Sequence, residues 1–311
     1  MKVFAPGKLV LTGAYAVLEG APAIVVATSR GAFVDTARTA PTPTLEVAAA
    51  LGPDASAPHV DASALFVGSR KLGLGASAAI LVATLAAREA EAGASLSDPS
   101  VRARIFAQAR DAHGRAQSGG SGVDVAASVY GGALRYVPGE PTPVRLPAGL
   151  VVTVFACATS ARTSELREIV DRFGETSPVA HRARLDDLVG IAREAASAVE
   201  RGDGGAFVDC VRRAARALAR LGEESGAPIV PAGFEALERE ASRTGAAFCV
   251  SGAGGGDVAV HVGPERPTPE LLARAHALGL FTVDLDLDEK GVRMAAPSRR
   301  EEHEPAHPNA S

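Results

Sequence analysis

Gly73-Leu74-Gly75-Ala76-Ser77-Ala78-Ala79 joins a glycine loop to the start of a long apolar segment, and it is the most informative stretch of the chain. The segment that follows, through Ala92, is apolar all round and rich in alanine and leucine, which predicts a helix largely buried in a core. A helix N-terminus presents free backbone N–H groups and the positive end of the helix dipole, so the loop is placed to bind a phosphate. Neither the P-loop pattern nor a Rossmann fingerprint is present. The alternative is a glycine turn that only introduces a core helix.

Two further glycine stretches lie far from the first one. They are Ala5-Pro6-Gly7-Lys8 and Ser251-Gly252-Ala253-Gly254-Gly255-Gly256-Asp257. The second places four glycines between two apparent strands, and each glycine costs conformational entropy on folding. This repeated cost indicates close approach of the backbone to a ligand or to another loop. Together the three stretches predict a site for a polyphosphate, which needs N–H donors from several directions.

The lysines are few and their positions are informative. Of the 32 basic residues only four are lysine, namely Lys2, Lys8, Lys71 and Lys290. Lys8 and Lys71 both adjoin glycine loops. A chain that otherwise uses arginine is expected to keep lysine where a compact ammonium group is required. Chance placement is the alternative.

A further candidate segment, Gly119–Asp124, leads into a short predicted helix at Val123–Tyr130. Asp124 falls in the first turn of that helix, beside Ser121. A carboxylate is favoured there by the helix dipole alone. The functional alternative is a general base or a charge partner held near Lys8.

Composition argues against two classes of partner. A net charge of −4 gives no broad attraction for nucleic acid. No apolar run approaches the roughly 18 residues of a membrane span, and the N-terminus has no signal-peptide pattern. The three cysteines (Cys157, Cys210 and Cys249) are odd in number and lie in apolar settings, which predicts reduced, buried thiols. We expect a cytoplasmic protein that binds neither nucleic acid nor a membrane.

The pattern of elements predicts strands interleaved with helices, with a boundary at the prolines of 138–148. In the first half we predict strands at Val3–Phe4, Leu9–Thr12, Ala23–Ala27, Thr44–Val47 and Ala133–Val137, helices at 76–92, 97–117 and 123–130, and an exposed loop over 39–60. In the second half we predict strands at 150–158, 246–250, 257–262, 281–286 and 291–295, and helices at 163–173, 178–201, 205–221, 232–244 and 269–278. The charged tail at 297–311 is expected to be disordered.

These motifs resemble those of the GHMP kinase superfamily, over nearly the whole chain. Ala5–Leu18 is similar to the family's first motif (APGK…GEYAVL), Gly73–Ala79 to its GLGSSAA motif and Ser251–Asp257 to its third motif. Three details resemble phosphomevalonate kinases most: the third motif reads SGAGGGD, the run Gly120–Gly132 is similar to their GSGxDVAAxVYG, and Ala112–Gln117 is similar to their AH…AQG. The resemblance implies an α+β, two-domain fold, with an N-terminal β-rich α/β domain (1–148) that binds ATP and a C-terminal ferredoxin-like domain (149–296).

The resemblance also implies chemistry. A phosphomevalonate kinase transfers the γ-phosphoryl group of ATP, with Mg²⁺, to 5-phosphomevalonate. On this basis Lys8 and Asp124 are the expected catalytic residues, and Ser77 is the expected Mg²⁺ ligand. The expected cofactor-binding residues are Lys71, Gly73, Leu74, Gly75, Ala76, Ser77 and Ala78. The expected substrate-binding residues are Ser121, Gly122, Arg162, Thr163, Ser164, Gly252, Ala253, Gly254 and Gly255.

The chain also departs from the family pattern. Ala14 replaces the usual Glu of the first motif, Ala76 replaces a Ser of the second, and Cys249 stands where a lysine often precedes the third. These departures keep two alternatives open. One is a mevalonate kinase or another GHMP kinase that acts on a hydroxyl group, and the other is a non-catalytic nucleotide- or metabolite-binding protein. We expect a small-molecule substrate and a monomer or homodimer.

Overall fold

The computed structural model describes residues 1–40, 42–52, 54–68, 70–117, 119–157 and 163–295. The strands are β1 (Lys2–Thr12), β2 (Ala23–Thr39), β3 (Pro58–Asp61), β4 (Phe66–Val67), β5 (Arg70–Lys71), β6 (Ala133–Val137), β7 (Glu140–Val144), β8 (Val151–Ala156), β9 (Ala247–Val250), β10 (Val258–Gly263), β11 (Phe281–Val283) and β12 (Arg293–Met294). The α-helices are α1 (Leu45–Leu51), α2 (Ala76–Glu91), α3 (Pro99–Ala116), α4 (Val123–Tyr130), α5 (Thr163–Thr176), α6 (Pro178–Glu200), α7 (Gly204–Ser225), α8 (Phe234–Arg243) and α9 (Pro269–Ala277).

A six-stranded antiparallel sheet carries the N-terminal half of the chain. Its strands run in the order β12-β1-β2-β6-β7, and β3 pairs with β2. Helices α2 and α4 pack against β1 and β2. Ten of the 16 residues of α2 are buried, so the predicted core helix is confirmed. Because this helix sits directly on β1, the loop before it is held close to the strand that carries Lys8.

A second antiparallel sheet carries the C-terminal half, in the order β11-β8-β10-β9. The succession β8, α8, β9, β10, α9, β11 gives the expected ferredoxin-like arrangement, with α5, α6 and α7 inserted after β8. The ring of Phe248 on β9 lies 5.4 Å from those of Phe155 on β8 and Phe234 on α8, which joins the sheet to α8. The α+β fold class is therefore confirmed.

The chain returns to the first sheet after β11, because β12 pairs with β1. Asp288 anchors this return. Its N–H donates to the carbonyl of Ala27 at 2.9 Å, and its buried carboxylate pairs with Arg293 at 2.8 Å. The division of the chain into 1–148 and 149–296 stays a prediction, and the end of the second range completes the sheet of the first.

Most predicted elements are confirmed, but the strand at Thr44–Val47 is wrong. These residues begin helix α1, since the Thr44 hydroxyl caps the helix by accepting from the N–H of Val47 at 3.4 Å. The expected loop over 39–60 therefore contains α1 and the first part of β3. A second difference is β7, which lies inside the expected boundary at 138–148 and forms a hairpin with β6. The tail at 297–311 lies outside the described residues.

Cys157, Cys210 and Cys249 are buried and form no disulfide among the described residues, as predicted. Within the same part of the chain, no helix combines the length and the apolar character that crossing a membrane requires.

The burial of His261 on β10, in the second sheet, can be tested through the pH dependence of folding stability. Its side chain is 1% exposed, and neither ring nitrogen has a partner among the described residues. Burial lowers the pKa of His261 to about 4, against an ordinary value of 6.5. The unfolded chain therefore binds this proton more readily than the folded chain, so folding stability falls as the pH drops below 6.5.

We expect this histidine to remove about 2 kcal/mol of unfolding free energy between about pH 7.5 and about pH 5. Urea denaturation of the wild type and of His261→Leu at both pH values measures the effect, and the variant should show a correspondingly flatter pH dependence. His276→Leu, at an exposed histidine on α9, is the control and should keep the wild-type slope. If the unfolding free energies of the wild type and His261→Leu depended equally on pH, His261 would not be the group responsible.

Candidate active site

Lys8 lies at the point where the three glycine stretches meet. Its Nζ is 4.0 Å from Asp124 Oδ2 and donates to the carbonyl of Gly73 at 3.4 Å. A Cβ added at Gly252 would lie 3.7 Å from the same nitrogen. The Lys8 side chain is only 10% exposed, so its charge faces these groups rather than bulk solvent. Two residues predicted to be catalytic are thus brought together in an enclosed place.

The position of the glycine loop relative to Lys8 is set by β1. The N–H of Lys8 donates to the carbonyl of Leu74 at 2.9 Å. A Cβ on Gly7 would lie 2.6 Å from that same carbonyl oxygen, so only glycine allows the loop to approach. Gly75 is also favoured as glycine, because its φ is 77° and its Cβ would lie 3.0 Å from Cγ of Lys8. Strand and loop are therefore fitted to each other by glycine on both sides.

The start of α2 is a set of free donors. Gly75 is its N-cap, with φ of 77°, and no described side chain caps the helix. The first-turn N–H groups of Ala76, Ser77 and Ala78 therefore lack intrahelical acceptors. Ser77 adds a hydroxyl group in the same turn. These donors fit the oxygen atoms of a phosphate chain.

Helix α4 brings Asp124 to Lys8. It also begins at a left-handed glycine, Gly122, with φ of 81°. The hydroxyl of Ser121 accepts from the N–H of Val123 at 3.3 Å, so the Ser121 side chain is used by its own turn. Asp124 stands in the first turn, where the helix dipole favours its negative charge.

Two side-chain hydrogen bonds, which the sequence prediction missed, join the third glycine stretch to β1 and to the turn that follows it. The Ser251 hydroxyl accepts from the N–H of Val10 at 3.0 Å, and the hydroxyl of Tyr15 donates to the carbonyl of Ala253 at 2.9 Å. Gly254 and Gly255 pack against the backbone of Ile229, whose carbonyl accepts from Gly255 at 2.8 Å. Of the four residues predicted here to bind substrate, Gly252 is the one that the structure places beside Lys8.

Tyr15 adopts a strained backbone conformation, with φ of 60° and ψ of −48°. The N–H of Ala16 donates to the carbonyl of Ala14 at 2.7 Å, which closes a γ-turn of the rare positive-φ type. Such a conformation costs about 1–3 kcal/mol and persists where the surroundings hold it. Burial, with the Asp171 carboxylate, raises the pKa of Tyr15 above its ordinary range, so its hydroxyl stays a donor.

Ser77 is contacted by two side chains from the end of α3. Its Oγ lies 3.1 Å from Nε2 of His113 and 3.2 Å from Nε2 of Gln117. The same Gln117 nitrogen donates to Glu46 Oε1 at 3.1 Å. The Ala112–Gln117 pattern was noticed in the sequence, but its contact with Ser77 was not, because it depends on how α1, α2 and α3 pack.

Glu46 is ionised at neutral pH. Burial alone would raise the pKa of its carboxyl group, but hydrogen bonds from its own N–H, Gln117 and Thr44 outweigh burial and lower the pKa. Its oxygens can therefore only accept hydrogen bonds.

Asp257 ends the third glycine stretch, and its contacts were not predicted from the sequence. Its side chain packs directly against Gly73, where any Cβ would collide with it. Oδ1 is buried and has no hydrogen-bond partner within the described residues. Asp257 therefore joins the third motif to the phosphate-loop candidate.

The remaining predicted residues lie around this centre. Lys71 is exposed on β5, whereas Leu74, Ala76 and Ala78 are buried. Thr163 and Ser164 are exposed at the start of α5, and Arg162 lies outside the described residues. Helix α5 also carries Arg167, which the sequence prediction missed; a Cβ on Gly119 would lie 3.0 Å from its Nη1. This contact places α5 beside the loop that leads to Asp124.

Two of the departures from the family pattern share one small cavity. Ala14 and Cys249 both line it, together with Thr12, whose buried Oγ1 has no partner among the described residues. Its other walls are mainly apolar side chains from α6 and α7. Burial raises the pKa of the Cys249 thiol to about 12, with minor influence from its backbone and Glu238, so it is an inert apolar group here.

A larger cavity, of about 800 Å³, opens elsewhere, between α6, α7, α8 and β9. Most arginines on its wall are paired: Arg213 with Glu194, Arg216 with Glu238 and Arg239 with Glu235. It contains none of the three motifs, so it is not the candidate active site.

The residues around Lys8 fit ATP and Mg²⁺. The free N–H groups at α2 match phosphate oxygens, and the Ser77 hydroxyl is the hard oxygen donor that Mg²⁺ prefers. No group of three or more His, Cys, Asp or Glu side chains suited to a metal ion occurs in the described part of the chain. A nucleotide-bound Mg²⁺ does not need such a cage, because phosphates and waters supply most of its ligands.

Comparison with known proteins gives consistent matches. Residues 59–132 match the family model of the GHMP kinases N terminal domain. The phosphomevalonate kinase of Streptomyces sp. (strain CL190) is 33% identical over 225 residues, which cover 64% of this chain and 59% of that protein. The mevalonate kinase of Aeropyrum pernix is 32% identical over 258 residues, which cover 71% of this chain and 77% of that protein.

Solved structures of other proteins have a similar fold. Streptococcus pneumoniae phosphomevalonate kinase in complex with phosphomevalonate and AMPPNP superposes with a TM-score of 0.72, at 18% identity, over 92% of this chain and 99% of that chain. At this identity the likeness concerns the fold alone. The matched segment spans less than two thirds of the Streptomyces protein's length.

The contact between Gly7 and Leu74 gives a direct test of the site. Gly7→Ala places a methyl group against a backbone carbonyl that cannot move without shifting the loop. We expect a loss of about 1–3 kcal/mol of unfolding free energy, together with weakened nucleotide binding. Urea denaturation and calorimetric titration with AMPPNP measure the two effects.

Gly190→Ala is the matched control. Gly190 lies inside α6 with no neighbouring atom within 4 Å of an added Cβ, so alanine should be neutral or stabilising there. If Gly7→Ala were as stable as Gly190→Ala and bound nucleotide normally, the proposed fit of strand and loop would be wrong.

Proposed function

We propose that this chain, which belongs to the GHMP kinase family, is an ATP-dependent phosphotransferase that converts 5-phosphomevalonate and ATP to 5-diphosphomevalonate and ADP. The observation that carries the proposal is the Lys8 ammonium group, 4.0 Å from Asp124 and bordered by the second and third glycine motifs. An enclosed cation beside the free N–H donors of a helix N-terminus suits the transfer of a negatively charged phosphoryl group.

The nucleotide is proposed to bind at the start of α2. The free N–H groups of its first turn and the loop at Gly73 and Gly75 would hold the β- and γ-phosphates. Ser77 would contribute a ligand to Mg²⁺, which would supply neutralisation of the phosphate charge. Lys8 would face the transferring phosphoryl group from the opposite side, in reach of the acceptor.

The acceptor is proposed to enter from the side of Asp124. There the loop from Gly119 meets α5, which carries Thr163, Ser164 and Arg167. A guanidinium group suits the recognition of a phosphate. An oxygen of the acceptor phosphate would attack the γ-phosphorus while the bond to ADP breaks. This oxygen is largely ionised near neutral pH, because the second pKa of a phosphate monoester is about 6, so no strong base is required.

A mevalonate kinase is the second candidate, and the Aeropyrum relative, of which the chain covers 77%, favours it. A hydroxyl acceptor has to lose its proton, so this reaction would depend on Asp124 as a general base. The SGAGGGD motif and the Gly120–Gly132 run favour the phosphate acceptor.

A non-catalytic binding protein on the same scaffold is the alternative of another class. Ala14, Ala76 and Cys249 favour it. Against it, Ala14 and Cys249 open onto a small, mainly apolar cavity, while Lys8, Asp124 and Ser77 are all kept at the glycine motifs. We retain the cytoplasm as the proposed location and a monomer or homodimer as the proposed assembly.

The test is a coupled assay of ADP release with 5-phosphomevalonate, mevalonate, homoserine and sugars as acceptors. We expect turnover with 5-phosphomevalonate to exceed that with the other compounds. Preference for mevalonate would favour the second candidate. The absence of turnover with every acceptor at high protein concentration, despite ATP binding, would favour the non-catalytic alternative.

Two variants then separate the roles at the centre of the site. Lys8→Met removes the charge that faces the phosphoryl group, and we expect kcat to fall about 10²- to 10³-fold. Asp124→Asn should cost less than about 10²-fold with a phosphate acceptor, since no proton has to be removed. Steady-state kinetics with 5-phosphomevalonate measure both.

Lys2→Met is the control, because Lys2 is exposed on the same strand. It should keep wild-type kinetics. If Asp124→Asn proved far more damaging than Lys8→Met, Asp124 would be a general base and the phosphate acceptor would be the wrong choice.

A further inference from the structure

The Ser77 hydroxyl on α2 is held by a relay of side chains from two other helices, α1 and α3. His113 and Gln117 are four residues apart, so both project from the same side of the end of α3. Both reach Ser77 Oγ, at 3.1 and 3.2 Å. Glu46 of α1 contacts the far side of the Gln117 amide at 3.1 Å. His113 is 7% exposed, so its part of the relay is shielded from solvent.

The directions of the two Gln117 hydrogen bonds follow from the carboxylate. Glu46 can only accept, so the nitrogen of the Gln117 amide has to face it. The second N–H of that nitrogen then donates to Ser77 Oγ, which uses one lone pair of the hydroxyl. We assign the ring proton of His113 to Nδ1, so that Nε2 accepts the Ser77 proton at the remaining contact. One lone pair of Ser77 Oγ is left.

We propose that Glu46, Gln117 and His113 are positioning residues that orient the Ser77 hydroxyl, so that its remaining lone pair faces the Mg²⁺ of a bound nucleotide. The inference rests on the proposed nucleotide site at α2. It assigns the relay to Mg²⁺ binding alone, because the backbone N–H groups that receive the phosphates do not depend on it.

An unconstrained serine would rotate among three staggered positions. The relay removes this freedom before the ligand arrives. Partners behind a metal ligand typically change metal affinity about 10- to 100-fold when they are lost. Loss of a relay residue should therefore reduce the factor by which Mg²⁺ increases the affinity for the nucleotide.

The experiment is calorimetric titration of AMPPNP into the wild type, His113→Leu and His113→Gln, each with Mg²⁺ and with EDTA. Leucine cannot accept the Ser77 proton, whereas the glutamine carbonyl can. For His113→Leu we expect affinity with Mg²⁺ to fall about 10- to 100-fold, and affinity in EDTA to stay near the wild-type value. His113→Gln should recover part of the loss.

Gln117→Leu provides a second route that leaves the core untouched, because Gln117 is exposed. It should lower Mg²⁺-dependent affinity in the same way. Gln108→Leu, at an exposed glutamine on the same helix, is its control and should bind as the wild type does.

Equal losses with Mg²⁺ and with EDTA would overturn the inference, since they would mean that the relay only supports packing or a phosphate contact. Unchanged Mg²⁺-dependent binding in Gln117→Leu and His113→Leu would overturn it as well. A wild type that binds no AMPPNP would overturn both the inference and the proposed function. Mg²⁺-assisted binding that needs His113, in a protein that phosphorylates no acceptor, would overturn the proposed function alone.

Discussion

One backbone hydrogen bond, from the N–H of Lys8 to the carbonyl of Leu74, determines the geometry of the site. It fixes the glycine loop to β1 and is possible because Gly7 leaves room for the carbonyl. The same residue that donates this bond carries the ammonium group. The strand therefore places the cation and the anion-binding loop in one step, and any shift in the loop also changes the distance from Lys8 to a bound phosphate.

The charges around Lys8 are balanced loosely. Asp124 lies 4.0 Å away and the Gly73 carbonyl 3.4 Å away, both longer than a strong charge-assisted hydrogen bond. An enclosed ammonium group whose partners are this distant gains from a closer anion. The helix dipoles of α2 and α4 favour negative charge near their first turns. The site is therefore arranged to bind an anion, because the protein's own groups do not fully pair with Lys8.

The sequence predicted the parts of the site that depend on neighbours along the chain. The glycine loop and α2, and Gly122 with α4, are local signals, and a helix start follows from them directly. Their junction at Lys8 was inferred from the scarcity of lysine and from the family resemblance. The relay through Glu46, Gln117 and His113 was not predictable, because Glu46 lies in a helix that β-like composition at Thr44–Val47 concealed. The strained Tyr15 was also missed, since its contact with Ala253 joins residues 238 positions apart.

The departures from the family pattern have a physical explanation that does not require loss of function. Positions 14 and 249 open onto one small cavity, so a glutamate and a lysine placed there would share it. Removing one member of a buried ion pair leaves an uncompensated charge, whereas replacing both by apolar groups is often neutral. Ala14 and Cys249 together correspond to such a double replacement, and Thr12, whose hydroxyl has no partner among the described residues, is a polar neighbour in the same cavity.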